Sequence, residues 1–300
     1  MRDRDNVRQT GKSSPRRLAP KKRGRVGVLL LLVLVLVLAL AAGGAGLYRV
    51  LHPEPVTFTY RDRVLKAKDG VPVNGYAREE FSADENGRVS YVHNGLRAKE
   101  GIDVSSYQGE IDWEAVAADG VNFAMIRLGY RGYTEGGLWM DSRFEENIRG
   151  ALEAGLEVGV YFFSQAITPG EAEEEAEFVL EALEGYELAY PVAFDWEPIT
   201  PGKEARTDAL DGETLTQCAA AFCRRVSQAG YVPQIYFNKE LGYLVYDLAE
   251  LKDWSFWLAE YDTAPDFYYG FDLWQYTHTG SVAGIQGNVD RNLDLGSVLN

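Results

Sequence analysis

The sequence has few of the residues that mark several common protein classes. Its 300 residues include only two cysteines, Cys218 and Cys223, and three histidines, His52, His93 and His278. Two cysteines cannot form the disulfide framework of a small secreted scaffold. Three scattered histidines argue against a zinc site or a Ser-His-Asp triad. We therefore expect neither a metal nor a cofactor.

Positive charge is also scarce, except at one end of the chain. The 45 acidic and 30 basic residues give a net charge of −15. A nucleic-acid-binding protein needs a basic stripe, so we expect no nucleic-acid partner. Residues 1–25 carry +8, and the remainder of the chain carries −23. An apolar content of 46% is enough to bury a full core, which favours one large domain with appendages.

A long apolar run follows the basic segment. Residues 26–47 contain no charged or strongly polar side chain. As a helix they would span roughly 33 Å, enough for a bilayer core of about 30 Å. We predict a transmembrane signal anchor over residues 26–48 in a single-pass protein of the cell membrane. The tail at residues 1–25 would be cytoplasmic and the rest extracellular, because basic residues stay on the cytoplasmic side. Secretion after cleavage near residues 39–41 is the alternative.

Residues 49–99 have a different texture. Proline and the pairs Asp-Gly and Asn-Gly separate short β-prone runs such as residues 56–60 and 89–92. Asn-Gly between such runs is a hairpin signal. We predict an extracellular stalk or β-hairpin region here, with no function that the sequence reveals.

From residue 100 to residue 300, short β-prone runs alternate with stretches of helical period, as in repeated βα units around a parallel sheet. The predicted strands are 101–105, 123–129, 157–164, 191–197, 233–238, 255–260, 271–277 and 288–292, and the predicted helices are 112–119, 141–155, 170–185 and 213–230. The last three strands are too close together for helices between them. We therefore predict an α/β fold, an incomplete or irregular TIM-like (β/α) barrel whose C-terminal strands lack helices. An open doubly wound sheet would share this order, but no glycine-rich phosphate loop follows the first strand.

Carboxylates lie at the ends of several predicted strands, where a barrel carries its chemistry. Asp195 and Glu197 are two residues apart on one strand, so their side chains point the same way. Two adjacent carboxylates resist joint ionisation, which keeps one protonated as a general acid. Asp103 and Asp290 are predicted on the same rim. The pattern favours glycoside cleavage. Solvated or arginine-paired carboxylates, or a Ca²⁺ or Mg²⁺ site, are the alternatives.

Six motifs in this region, taken in order, resemble the glycoside hydrolase family 25 lysozymes. They are GIDVSSYQG at 101–109 with IDW at 111–113, FAMIRLG at 123–129, VGVYFFS at 158–164, FDWE at 194–197, LWQY at 273–276 and NVDRN at 288–292. The resemblance covers roughly residues 100–297. It implies an N-acetylmuramidase that cleaves the β-1,4 bond between N-acetylmuramic acid and N-acetylglucosamine in peptidoglycan.

The resemblance also implies roles for individual residues. By position, Glu197 matches the general acid and Asp195 the carboxylate that assists the acetamido group of the substrate, while Asp103 and Asp290 match supporting carboxylates. The predicted substrate-binding residues are Tyr161, Phe163, Tyr236, Trp274 and Gln275. We expect a monomeric catalytic domain acting on peptidoglycan strands. Whether cleavage retains or inverts the anomeric configuration stays open at this point.

Two other functions compete with the muramidase. A chitinase-like N-acetylglucosaminidase would share the barrel and the Asp-x-Glu strand end, but it prefers a further aspartate where this chain has Ala193. A catalytically inactive protein that binds the cell wall would keep the groove and lose the acid, whereas Glu197 is present. Both alternatives predict no new muramic acid reducing ends from peptidoglycan.

Overall fold

The structure, a computed structural model, describes residues 27–39, 55–199 and 202–299, and the chain divides into two compact units at residues 67 and 68. In the first unit, residues 27–39 form helix α1. Strands β1 (Thr57–Tyr60) and β2 (Arg63–Lys66) form an antiparallel hairpin. Arg61, in its turn, adopts a positive φ of 52°.

Among the residues that the structure describes, no helix has both the length and the apolar character needed to cross a membrane. Helix α1 covers residues 27–39 of the segment predicted as an anchor. The basic tail at residues 1–25 and the remainder of the predicted anchor, residues 26 and 40–48, lie outside the described residues.

The second unit begins with a small antiparallel sheet that packs on the larger one. Its strands are β3 (Phe81–Ala83), β4 (Val89–His93) and β5 (Leu96–Arg97). The Tyr76 hydroxyl donates to the Phe271 carbonyl at 2.6 Å, and the rings of Phe81 and Trp274 meet edge to face at 5.3 Å. Residues 68–98 thus belong to the same compact unit as residues 99–300, against which they bury aromatic side chains.

Nine strands form the main sheet of the second unit. They are β6 (Lys99–Val104), β7 (Phe123–Arg131), β8 (Leu138–Met140), β9 (Glu157–Phe163), β10 (Val192–Asp195), β11 (Pro233–Asn238), β12 (Ser255–Ala259), β13 (Leu273–Gly280) and β14 (Val289–Asp294). Eight of them close on themselves in the order β6, β7, β9, β10, β11, β12, β13, β14, and β8 extends the end of β7. The eight predicted strands are all present, and the sheet that they form closes on itself.

Helices cover the outside of this closed sheet. They are α2 (Trp113–Ala118), α3 (Phe144–Glu153), α4 (Pro169–Ala182), α5 (Gly212–Gln228), α6 (Lys239–Leu244), α7 (Leu248–Leu251) and α8 (Gly296–Leu299). The ends of the long helices follow local rules: Thr168 caps α4 by accepting from the Glu171 N–H, and Asp211 caps α5 by accepting from the Thr214 N–H. Gly230, after α5, adopts a φ of 91°, which a side chain would disfavour.

The C-terminal strands lack helices, as predicted, since the described chain has none between β12 and β14. One feature differs from a parallel sheet. Strand β14 runs antiparallel to both of its neighbours, β13 and β6. The physical reason is the short connection from residue 281 to residue 288, which returns the chain directly and leaves no room for a helical crossover.

Alternation along the strands decides which side chains face the interior. Phe123, Met125, Tyr236 and Trp257 belong to a buried apolar cluster inside the closed sheet. The intervening positions face the helices; the ring of Phe194, for example, lies 5.4 Å from that of Phe222 on α5. Apolar interior residues fill the lower part of the sheet, and the polar ones collect at the end where the parallel strands finish.

Candidate active site

Four carboxylates surround one cavity at the carboxyl ends of the parallel strands. The cavity measures about 260 Å³ and is lined by Asp103, Asp195, Glu197 and Asp290 together with aromatic and amide side chains. Asp195 is the last residue of β10, and Asp103 lies next to the end of β6. Asp290 reaches the same rim because β14 is antiparallel, which places its second residue directly opposite Asp103.

Asp103 is fixed by two amides from neighbouring strands. Its Oδ2 accepts from Nε2 of Gln275 at 2.9 Å and from Nδ2 of Asn292 at 2.8 Å. Asn292 is oriented in turn by Trp257, whose indole N–H donates to the amide oxygen at 2.8 Å. Burial raises the pKa of Asp103, and the nearby charge of Asp290 raises it further, while both amides oppose the shift.

Asp195 is held with much less polar support. The residue is only 5% exposed, and its Oδ1 has no hydrogen-bond partner. Burial raises the pKa of Asp195, and the charge of Glu197 raises it further, whereas Arg127 acts in the opposite direction. A carboxyl group in this environment is available to accept a hydrogen bond from a ligand that enters the cavity.

Glu197 lies just past the end of β10, in the loop that leaves the sheet. Burial raises the pKa of Glu197, and the charge of Asp290 adds to the effect. Its backbone carbonyl accepts from Nε2 of Gln165 at 3.1 Å, and the oxygen of that amide accepts from the Thr207 hydroxyl at 2.7 Å. The buried amide of Gln165 thus holds the backbone of the residue whose carboxyl pKa is raised.

Arg127 is a site residue that the sequence analysis missed. It lines the cavity from β7 and forms an ion pair with buried Asp141, with 2.7 Å between Nη2 and Oδ2. Its Nη2 also donates to the Ser106 hydroxyl at 3.2 Å. The available signal was a single arginine in the otherwise apolar run at 123–129, two residues after the inward-facing Met125.

Four of the five residues predicted to bind substrate line the cavity: Tyr161, Phe163, Tyr236 and Gln275. Aromatic residues that were not predicted, Tyr107, Trp257 and Tyr261, line it as well. The hydroxyls of Tyr236 and Tyr261 both donate to the amide oxygen of Gln275, at 3.0 and 3.1 Å. The aromatic side chains therefore shape the cavity and also orient the amide that holds Asp103.

The prediction that Trp274 lines the groove is wrong. Trp274 is fully buried on the outer face of β13, where its indole N–H donates to the Glu260 carbonyl at 2.8 Å and its ring contacts Phe81. The next residue, Gln275, takes the inward position instead. Because neighbouring strand residues point to opposite faces, only one of the two can reach the cavity.

The described residues include no group of three or more His, Cys, Asp or Glu side chains arranged to hold a metal ion. Of the four carboxylates of the cavity, Asp103 is held by the amides of Gln275 and Asn292, and Asp195 lies in the field of Arg127 on β7. Their arrangement suits proton transfer, because burial raises the pKa of all four, and the charge of a neighbouring carboxylate raises the pKa of Asp103, Asp195 and Glu197 further.

Comparison with known families decides the classification. The profile for "Glycosyl hydrolases family 25" matches residues 102–285, which include Asp103, Asp195 and Glu197. The chain belongs to this family. Asp290 lies just past the matched segment, and its place in the family 25 cavity comes from the pairing of β14 with β6.

Two curated relatives of this family 25 chain carry the name lysozyme. The chain is 29% identical over 191 residues to the autolytic lysozyme of Clostridium acetobutylicum. That alignment covers 63% of this chain and 54% of the Clostridium protein. It is 28% identical over 208 residues to lysozyme M1 of Streptomyces globisporus, covering 66% and 68%. The chain therefore spans about half the length of the Clostridium protein.

Solved structures show the same fold. The bacterial lysozyme from Streptomyces coelicolor superposes with a TM-score of 0.55 at 25% identity, over 67% of this chain and 97% of that one. The modular autolysin LytC from Streptococcus pneumoniae, solved in complex with a synthetic peptidoglycan ligand, superposes with a TM-score of 0.56 at 28% identity. That match covers 71% of this chain and 51% of LytC.

Proposed function

We propose that the protein is a peptidoglycan muramidase that hydrolyses the β-1,4 bond between N-acetylmuramic acid and N-acetylglucosamine. The observation that carries the proposal is the meeting of Asp195 and Glu197, both with raised pKa values, in one cavity with Asp103 and Asp290. Membership of family 25, and the peptidoglycan ligand bound by the related LytC, support this substrate.

In the proposed reaction, Glu197 acts as the general acid. It donates its proton to the glycosidic oxygen while the bond from that oxygen to the anomeric carbon breaks. The acetamido oxygen of the muramic acid bonds to the anomeric carbon, and Asp195 accepts a hydrogen bond from the acetamido N–H. Water then attacks the anomeric carbon, displaces the acetamido oxygen and returns a proton to Glu197, so the configuration is retained.

The remaining carboxylates support this pair. Burial raises the pKa of Glu197, and the charge of Asp290 raises it further, which favours the protonated form that a general acid requires. Asp103, fixed by the amides of Gln275 and Asn292, offers an oriented acceptor for a sugar hydroxyl at the opposite wall. Aromatic rings in the cavity offer flat apolar surfaces for the faces of the sugar rings.

Digestion of purified peptidoglycan, followed by mass analysis of the new reducing ends, tests the function. The wild-type protein is expected to release muramic acid reducing ends, and Glu197→Gln is expected to release them at least roughly a hundredfold more slowly, because an amide cannot donate the proton. New glucosamine reducing ends would contradict the bond specificity. An absence of products from several wall types would favour a wall-binding role.

NMR of the first anomer formed separates retention from inversion.

We also propose that residues 26–48 anchor the enzyme in the cell membrane with residues 49–300 outside. The support is the uncharged run at residues 26–47 directly after a segment of charge +8. The full-length protein is expected to fractionate with membranes and to resist extraction at high salt. Recovery of a soluble form that begins near Ala41 or Ala42 would contradict the anchor and indicate secretion.

A further inference from the structure

The catalytic cavity opens into a second, larger cavity, which we call the side arm. The side arm measures about 630 Å³ and shares Tyr107, Arg127, Phe163 and Glu197 with the catalytic cavity. The residues that belong to the side arm alone are Ser106, Tyr130, Arg131, Tyr133, Met140, Ser142, Pro198, Ile199 and Lys203. A ligand bound at Glu197 therefore has direct access to a space that the cleaved bond does not occupy.

The sign of the charge reverses between the two cavities. Four carboxylates and one cation, Arg127, line the catalytic cavity. Three cations, Arg127, Arg131 and Lys203, line the side arm, and its one carboxylate is Glu197. This reversal is local, since the chain after residue 25 carries −23. An anionic group near Glu197 therefore meets mainly carboxylates in the catalytic cavity and mainly cationic side chains in the side arm.

The three cations are not equally available. Arg127 is paired with Asp141 at 2.7 Å, and Arg131 with buried Glu175 at 2.7 Å. Lys203 is exposed and forms no ion pair with any acidic residue in the described part of the chain. Its Nζ lies 5.8 Å from the centre of the Tyr133 ring. Lys203 is thus the cation of the side arm whose charge is free for a ligand.

We propose that the side arm binds the peptide stem of the substrate, with a stem carboxylate on Lys203. This inference rests on the proposed muramidase function. Muramic acid differs from N-acetylglucosamine by a lactyl ether whose carboxyl group is joined to a short peptide, and that peptide ends in free carboxylates. The muramic acid next to Glu197 projects this peptide away from the glycan. The rings of Tyr130 and Tyr133 and the side chain of Met140 offer apolar contacts to its methyl groups.

A matched pair of soluble tetrasaccharides tests the proposal. Both alternate N-acetylglucosamine and N-acetylmuramic acid and carry the same peptide stem, with free carboxylates in one and carboxamides in the other. With the wild-type protein, amidation is expected to raise KM by roughly three- to tenfold and to change kcat by less than about twofold, because Lys203 contacts the stem before and during cleavage alike. Half-molar salt is expected to reduce the difference.

Three variants locate the effect. Lys203→Gln is expected to cleave both tetrasaccharides with the KM that the wild-type protein shows for the amidated one. Lys203→Arg is expected to preserve the preference for free carboxylates. Lys252→Gln serves as the matched control, because Lys252 is an exposed lysine that precedes β12, at the opposite end of the strands from the cavity. If Lys203→Gln retains the preference, or if the wild-type protein shows none, the proposal is overturned.

A third tetrasaccharide and a binding measurement separate the remaining outcomes. For a stemless form, in which the lactyl carboxylate is free, Lys203→Gln is expected to leave KM unchanged. A higher KM of that variant for the stemless form would overturn the stem proposal in favour of the lactyl group. Dissociation constants measured by calorimetry on the Glu197→Gln background report the same preference without cleavage. Preference in binding without any cleavage by the wild-type protein would refute the muramidase function and leave the stem site standing.

Discussion

At the scale of single residues, the buried carboxyl group of Asp195 lowers the stability of the fold when it is ionised. Its Oδ1 is buried without a hydrogen-bond partner, and burial together with the charge of Glu197 raises its pKa. The proton that Asp195 keeps therefore favours the folded state. The contribution of Asp195 to the free energy of unfolding is largest below the ordinary aspartate pKa near 4. It is lost as the pH rises through the raised pKa of Asp195 in the folded protein.

Asp195→Asn is expected to stabilise the protein and to lower its activity. An amide cannot ionise, so at pH 7 the variant avoids the cost of a buried carboxylate, a gain on the order of 1 kcal/mol or more. Thermal unfolding of wild type and variant at pH 7 and pH 4 measures this gain, which should shrink at pH 4. A variant less stable than wild type at pH 7 would show that the Asp195 carboxylate is stabilised by contacts that the structure lacks.

Gln165 is a positioning residue for Glu197, since its amide donates to the Glu197 carbonyl and accepts from Thr207. Gln165→Met keeps the volume and removes the hydrogen bond. We expect kcat to fall by roughly ten- to a hundredfold with KM changed by less than about threefold, because a displaced acid affects the transition state and leaves the sugar contacts in place. Steady-state kinetics on soluble glycan measure kcat and KM separately. A rise in KM as large as the fall in kcat would indicate a general distortion of the cavity.

At the scale of elements, the ion pair of Arg131 and Glu175 joins β7 to α4. Both side chains are buried, and the Nε to Oε1 distance is 2.7 Å. Strand β7 also carries Arg127 into the cavity. The ion pair therefore fixes the last residue of the strand that supplies Arg127. An isolated buried charge is expensive, which makes the pair sensitive to loss of one partner.

Glu175→Gln is expected to lower the free energy of unfolding by about 2 kcal/mol. It leaves the guanidinium of Arg131 buried beside a neutral amide, but burial raises the pKa of Glu175 to about 7, so removing a poorly solvated carboxylate offsets part of the loss. Glu146→Gln provides the control: its ion pair with Arg143 is exposed on α3, and its loss should cost less than about 1 kcal/mol. Chemical denaturation of both variants measures the difference. Equal effects would show that Arg131 is compensated by Glu174 and the nearby carbonyl groups.

At the scale of the whole molecule, residues 68–98 complete the second unit. Tyr91 is fully buried, and Phe81 covers Trp274 on the outside of β13. Arg88 donates from Nε to Glu100 at 2.5 Å, linking the small sheet to the start of β6. Removal of this segment would expose large aromatic surfaces of the barrel to water.

We expect a chain that begins at Lys68 to fold, and one that begins at Glu100 to be less stable by about 3 kcal/mol or more, since two or more large aromatic side chains lose their cover. Thermal unfolding and size-exclusion chromatography of the two chains compare stability and aggregation. Equal melting temperatures would mean that residues 68–98 add no stability to the rest of the second unit.

The sequence by itself determined the eight strands, the capped helices and the family, because hydrophobic periodicity, capping and ordered motifs depend on near neighbours along the chain. Asp103, Asp195, Glu197 and Asp290 could be found in this way, since strand ends of a barrel meet at one rim.

Only the tertiary structure decided which of Trp274 and Gln275 faces the cavity, where the second unit begins, and that Lys203 lines the same side arm as Glu197. A period of two residues leaves the inward face undetermined until the sheet closes. Contacts such as those between Phe81 and Trp274, or between Arg127 and Asp141, join residues far apart in sequence, and only the folded chain brings them together.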